Sequence, residues 1–267
     1  MPEGDTVWLA ARRLDACLGG SELTAADLRV PSLATVDLRG RTVEGVRSYG
    51  KHLLFRLSGD ISLHTHFRMD GSWHLYRQGR PWKGGPDWQV RAVLETDKWQ
   101  AVGYRLPVVE MLDARGVQRL LGRLGPDILA DDVDIAAVVS SLLADPERAI
   151  GDALLDQQIV AGFGLIYVSE MLFLRGIPPQ APVGSIDDLT GLVDTGRRLM
   201  GANRGRGAQA STGDLREQHY VYGRAGRPCR RCGTTITFGR QNSGDFERDA
   251  YWCPTCQVRR VGVRPRE

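Results

Sequence analysis

The chain has 267 residues, of which 42% are hydrophobic and 25% charged, enough for one large folded unit or two modest ones with real cores. No apolar run approaches the roughly 20 residues that cross a bilayer, and the start MPEGDTV has neither the basic nor the apolar stretch of a secretory leader. A cytoplasmic protein with no membrane partner is therefore expected. The net charge of +3 does not by itself imply a polyanion, but arginines crowd the last third: Arg204, Arg206, Arg224, Arg227, Arg230, Arg231, Arg240, Arg248, Arg259 and Arg260. Such clustering is the footprint of nucleic-acid contact, with a solvated arginine-rich surface as the alternative. Lysine is confined to Lys51, Lys83 and Lys98. A lysine has a tunable pKa that arginine lacks, which draws attention to Lys51.

In chain order, residues 6–18 read as a helix. Asp5 or Thr6 can cap it, Val7, Trp8, Ala11, Leu14 and Leu18 form one apolar face, and Gly19-Gly20 ends it. Short apolar-rich runs follow at 51–57, 61–66, 72–76 and 90–94, broken by Ser58-Gly59-Asp60, Asp70-Gly71 and Gly84-Gly85-Pro86. They predict a mainly antiparallel β unit. His64 and His66 share a strand face there, with no third metal ligand evident. Beyond Leu124-Gly125-Pro126 the apolar spacing turns helical, at 133–143, 149–159, 165–174 and 186–200. Residues 201–207 and 211–213 read as a flexible basic loop. Gly162-x-Gly164 falls short of a dinucleotide-binding fingerprint.

Cys229-x-x-Cys232 and Cys253-x-x-Cys256 flank twenty residues, Gly233 to Trp252. Two such knuckles at this spacing point to a four-cysteine zinc site, with one Zn2+ per chain. Four thiolates complete a tetrahedron and leave no position for substrate, so the metal is expected to be structural. Thr234, Ile236 and Phe238 alternate as a strand leading to a polar hairpin tip near Asn242-Ser243-Gly244, and Tyr251-Trp252 returns to the second knuckle. Two disulfides are the competing reading. The unpaired fifth cysteine, Cys17, and the missing leader argue against it.

Pro2 is small enough for removal of the initiator methionine, which exposes a secondary amine. An α-amino group has a pKa near 8 against about 10.4 for lysine, so an appreciable fraction is nucleophilic at neutral pH. Attack of that amine on a carbonyl-like carbon gives an iminium ion. It acidifies the adjoining C–H bonds and so prepares elimination of a phosphate. Glu3 is placed to act as general acid if burial raises its pKa.

Along nearly its whole length the sequence resembles the formamidopyrimidine-DNA glycosylase and endonuclease VIII family, and its endonuclease VIII branch in particular. The landmarks are Pro2-Glu3-Gly4, Gly50-Lys51, His66-x-x-Met69-x-Gly71 and Leu124-Gly125-Pro126-Asp127. Leu154-Leu155-Asp156-Gln157, Ala161-Gly162-Phe163-Gly164, Tyr222-Gly223-Arg224-Ala225-Gly226 and the four cysteines with Tyr251-Trp252 continue the series. The resemblance implies an α+β protein: an N-terminal antiparallel β-sandwich with a flanking helix over 1–125, a helix-two-turns-helix domain over 126–222, and a zinc finger over 223–267. It implies a monomer acting on damaged DNA, duplex or single-stranded, in the bacterial cytoplasm and on the nucleoid.

By position, the resemblance makes Pro2 the Schiff-base nucleophile and Glu3 the acid. Lys51 becomes a phosphate ligand that assists proton transfer, and Arg248 a zinc-finger phosphate clamp with a part in the second elimination. Met69 becomes the wedge that fills the stack when a nucleotide is flipped out, beside Arg68. Gly164 and Leu165 fall at a phosphate-binding helix start. Two positions depart from the family pattern: Leu165 stands where asparagine is usual, and Thr6 where a glutamate is usual. Both leave open an alternative, a catalytically weakened member that acts mainly on abasic sites or as a damage-binding protein.

Overall fold

The computed structural model describes residues 2–243 and 246–258, with the backbone alone over 240–243 and 246–248. Two compact units divide the chain, Met1–Arg123 and Leu124–Glu267.

The first unit opens with α1 (Gly4–Leu18) and contains β1 (Ala25–Leu28), β2 (Val43–Tyr49), β3 (His52–Leu57), β4 (Ile61–His66), β5 (Ser72–Arg77), β6 (Val90–Glu95), β7 (Trp99–Tyr104) and β8 (Val108–Asp113), closing on α2 (Ala114–Leu121). The strands form two antiparallel four-stranded sheets, ordered β1-β6-β7-β5 and β2-β3-β4-β8. Alternation along β3 and β4 sends Leu53, Phe55, Leu57 and Leu63 inward, where they join Ala92, Leu94 and Ala101 of the other sheet in one core. The Phe55 and Trp73 rings meet across the sandwich at 5.0 Å, and the Trp73 indole donates to Thr65 Oγ1 at 3.1 Å.

Helix α1 adds Val7, Ala11, Leu14 and Leu18 to this core. It is pinned to β2 by the Asp15 carboxylate, which accepts from the Val46 N–H at 2.8 Å just past a bulge at Val43/Gly45. The expected capping of this helix by Asp5 or Thr6 does not occur. The N-cap is Glu3, with no side-chain capping bond, and Asp5 is drawn into the interior at 3% exposure.

The second unit contains α3 (Ile135–Leu143), α4 (Ile150–Leu155), α5 (Leu165–Arg175), α6 (Leu189–Asn203) and the hairpin β9 (Thr237–Ser243) and β10 (Phe246–Trp252). The expected helix over 149–159 is cut to six residues because Asp156 Oδ1 accepts from the Gln158 N–H at 2.9 Å, a local turn that competes with helix propagation. The last helix begins later than the apolar spacing suggests, since Asp188 caps it by accepting from the Gly191 N–H at 2.8 Å. The stretch expected to be loop from 201 onward is helical through Asn203, whose buried amide donates to the carbonyls of Leu199 and Ala210.

Among the described residues no helix is long and apolar enough to cross a membrane.

Candidate active site and metal centre

Pro2 is half-buried at the mouth of α1, and Glu3 directly behind it has no solvent exposure. Val7, fully buried in the first turn of α1, docks this end of the helix on the core. Lys51 lies at the tip of the β2–β3 hairpin, where Tyr49 pairs with His52 and only Gly50 and Lys51 form the turn. Gly50 has φ +53°, the left-handed backbone that favours glycine at the first residue of a two-residue hairpin turn.

Residues 67–71 make the turn from β4 to β5. Arg68 sits in left-handed backbone at φ +51°, its N–H donating to His66 Nδ1 at 2.9 Å, and Met69 beside it is 67% exposed. Arg105 closes the other side by donating to the Asp70 carbonyl at 3.1 Å. A large apolar side chain held outward by a tight, bonded turn is suited to insertion rather than to core packing.

In the second unit, Gln157 organises the turn between α4 and α5. Its amide donates to the carbonyls of Leu155 at 2.9 Å and Phe163 at 3.0 Å, while its oxygen accepts from the Gly162 N–H at 3.0 Å. Gly125 approaches the same turn so closely that a Cβ would lie 2.3 Å from the Ile159 carbonyl oxygen. Gly164 is the N-cap of α5 and Leu165 its first residue. The positive end of the helix dipole lies here, a setting that favours anions.

Glu170, fully buried on α5, accepts from the N–H groups of Tyr220, Val221 and Tyr222, each at 2.8 Å, and from the Ser211 hydroxyl. One carboxylate thus gathers the segment that runs into the first cysteine knuckle. Nothing in the spacing of the sequence marks it, because Glu170 reads as an ordinary polar residue in a helical run.

The sulfurs of Cys229, Cys232, Cys253 and Cys256 all lie within 4.8 Å of one another. The Cys232–Cys253 pair is at 3.5 Å and the Cys229–Cys256 pair at 3.9 Å. Disulfides require about 2.05 Å, whereas four sulfurs at about 2.3 Å from a tetrahedral ion stand about 3.8 Å apart. The knuckles therefore fit one metal ion. Arg248 pairs with Gln241 in the β9–β10 ladder, and its side chain lies outside the described residues, as do Arg259 and Arg260.

His64 and His66 do share a strand face, and the register adds partners that spacing alone does not reveal. His52 stands opposite His66, and Glu110 opposite His64. His52 Nδ1 lies 2.9 Å from His64 Nε2, and His64 Nδ1 lies 2.7 Å from Glu110 Oε1. Burial, reinforced by His64, Arg68 and Lys51, pushes His52 down to about 4. Burial, with His52, Arg68, His64 and Lys51 adding to it, takes His66 down to about 3.

Known proteins match this arrangement along the chain. The model of the formamidopyrimidine-DNA glycosylase N-terminal domain matches residues 1–116, and that of the formamidopyrimidine-DNA glycosylase H2TH domain matches residues 124–190. The chain is 50% identical to a probable endonuclease 8 2 of Streptomyces coelicolor, with 100% of both chains covered. It is 44% identical to the DNA-(apurinic or apyrimidinic site) lyase Nei2 of Mycolicibacterium smegmatis, over 97% of this chain and 99% of that one. The structure is similar to that of the Lactococcus lactis formamidopyrimidine-DNA glycosylase bound non-covalently to DNA with an abasic site. The TM-score is 0.79 and the identity 26%, over 96% of this chain and 99% of that one. The chain belongs to the formamidopyrimidine-DNA glycosylase and endonuclease VIII family.

Proposed function

We propose that this chain, a bifunctional DNA glycosylase and abasic-site lyase of base excision repair, works through the secondary amine of Pro2. The amine attacks C1′ of the damaged nucleotide as the C1′–N bond breaks and the base leaves, or adds to the aldehyde carbon of an existing abasic site with loss of water. On the first route the amine nitrogen then loses its proton and the C1′–O4′ bond breaks, its electron pair and a proton going to O4′ to open the sugar ring. Both routes thus give an iminium ion at C1′. A base then removes a proton from C2′, the C3′–O bond breaks, and the 3′ phosphate leaves with its electron pair.

Glu3 supplies a proton to the base or to the ring oxygen. Lys51 binds a phosphate beside the lesion and shuttles the proton that elimination releases. Arg248 clamps the phosphates on the zinc-finger side and serves the second elimination. Met69, next to Arg68, fills the gap in the base stack once the nucleotide is extruded, offsetting part of an unstacking cost of a few kcal/mol. At Gly164 and Leu165 the phosphate is held by the α5 start alone, because leucine has no side-chain donor. One Zn2+ held by the four thiolates is structural and supplies no chemistry to the reaction. Domain limits of 1–125, 126–222 and 223–267, a monomer, and a cytoplasmic, nucleoid-associated setting complete the reading.

The observation that carries the reading is the pairing of a half-buried Pro2 with a wholly buried Glu3 at the docked start of α1. The weakened, damage-binding alternative finds no support there, since all the proposed chemical groups are retained. Lys51→Ala and Arg248→Ala separate binding from chemistry. Each should lower the salt slope of DNA binding by about one unit. Only Lys51→Ala should also slow covalent trapping at saturating DNA, because a proton shuttle acts in the transition state. Trapping by Lys51→Ala at the wild-type rate would reduce Lys51 to a phosphate anchor.

A further inference from the structure

Four polar side chains meet on the outer face of the β2-β3-β4-β8 sheet: His52, His64, His66 and Glu110. Leu53, Phe55 and Leu63, between them in sequence, point the other way into the core. The ring centroids of His52 and His64 stack at 5.1 Å, and those of His52 and His66 meet edge to face at 4.9 Å. His64, at the centre, is 2% exposed.

Hydrogen-bond logic assigns every proton in this chain. An ionised Glu110 can only accept, so His64 donates from Nδ1 and its Nε2 carries a lone pair. That lone pair accepts from His52 Nδ1–H, which leaves His52 Nε2 unprotonated. His66 Nδ1 accepts from the Arg68 N–H, so its proton resides on Nε2. The carboxylate sets the direction of the two links from Glu110 to His52, and the Arg68 N–H separately sets His66, whose ring meets that of His52 edge to face. Neutrality of the rings is consistent with burial and with the two cations, Lys51 and Arg68, that border them.

The two ends of the cluster are the two loops to which DNA contact is assigned above. His52 directly follows the hairpin tip that carries Lys51, and His66 accepts from the N–H of Arg68, which stands in left-handed backbone that non-glycine residues seldom adopt.

We propose that His64 and Glu110 are positioning residues for the reaction. By fixing the proton of His52 and its packing against His66, they hold the Lys51 tip and the Arg68–Met69 turn at one spacing, so that phosphate grip and stack filling occur together. This rests on the roles given to Lys51 and Met69 above.

The test uses the full-length, zinc-loaded protein and DNA with a single abasic site. His64→Leu should trap at least tenfold more slowly at saturating DNA. His64→Gln should recover most of the rate, because its amide can donate to Glu110 and its carbonyl accept from His52. A space-filling role predicts the reverse order, with leucine the better replacement. Nitrogen NMR of the imidazoles should find His52 protonated on Nδ1 and His66 on Nε2 in the wild type, and the Glu110→Ala variant should lose the His52 assignment. Should His64→Leu fail to fold, His64→Gln, Glu110→Ala and the wild-type tautomers carry the test. Trapping by folded His64→Leu at the wild-type rate, or a wild-type His52 protonated on Nε2, overturns the proposal. If Lys51→Ala is slow while His64→Leu keeps pace, only the relay fails. If Lys51→Ala is unimpaired, the role of Lys51 fails and takes the proposal with it.

Discussion

Replacing Glu170 by leucine removes the acceptor that gathers residues 211–222. Three backbone N–H groups, those of Tyr220, Val221 and Tyr222, and the Ser211 hydroxyl lose their partner in a site with no solvent exposure at Glu170. Each unsatisfied buried donor costs about 1–3 kcal/mol, so the three amides alone set a ceiling of about 9 kcal/mol. Relaxation and water entry reduce this to about 3–5 kcal/mol, a large share of the roughly 5–15 kcal/mol that stabilises a domain.

Glu170→Gln keeps one accepting oxygen but turns an NH2 group toward either the Tyr220 amide or the Val221 and Tyr222 pair. Its expected cost is about 1–3 kcal/mol. Urea unfolding of the zinc-loaded protein measures both. The leucine variant should also surrender its metal to a chelator more readily, because Tyr222 leads into the knuckle at Cys229. A leucine variant within about 0.5 kcal/mol of wild type, an ordinary surface value, would refute the reasoning.

Freshly purified, metal-replete protein should contain one zinc per chain, and Cys253→Ala should lose the metal together with most DNA affinity. Elemental analysis below about half an equivalent would contradict the four-thiolate site. Met69→Ala should leave the melting temperature unchanged, since the side chain is 67% exposed, yet weaken binding to an abasic duplex more than to undamaged DNA. Equal loss on both would remove the wedge. Stability should fall below neutrality through His52 and His66. Their folded values of about 4 and 3 lie under the unfolded value of 6.5, so the unfolded state takes up protons first. Their contribution is complete above about pH 6.5 and is lost progressively as the pH falls toward 3–4. His52→Asn with His66→Asn should flatten that part of a urea midpoint against pH profile.

The strands at 51–57, 61–66, 72–76 and 90–94 were legible within a residue of their ends, because turn residues bracket each apolar run. The cysteine knuckles were equally plain, since metal ligation needs only local spacing on each side. What stayed hidden depends on register and burial. His52 and Glu110 are far from His64 in sequence, and only the antiparallel ladder sets them beside it. Strands β1, β2, β7 and β8 lack turn residues and apolar alternation clear enough to mark them in the sequence. Asp5 carries the residue type of an N-cap but is buried, so tertiary packing overrode local propensity. Met69 has the residue type of a core position, and its 67% exposure came within reach only through the wedge role that the family resemblance implied, not through local pattern.

Borohydride trapping on DNA with an abasic site, followed by peptide mapping of the adduct, tests the central claim most directly. The Pro2 mechanism predicts a protein lacking Met1 with the reduced sugar attached to the Pro2 nitrogen, and no adduct when extra residues precede Pro2. An adduct on Lys51 or another lysine, or full trapping by an N-terminally extended protein, would contradict it.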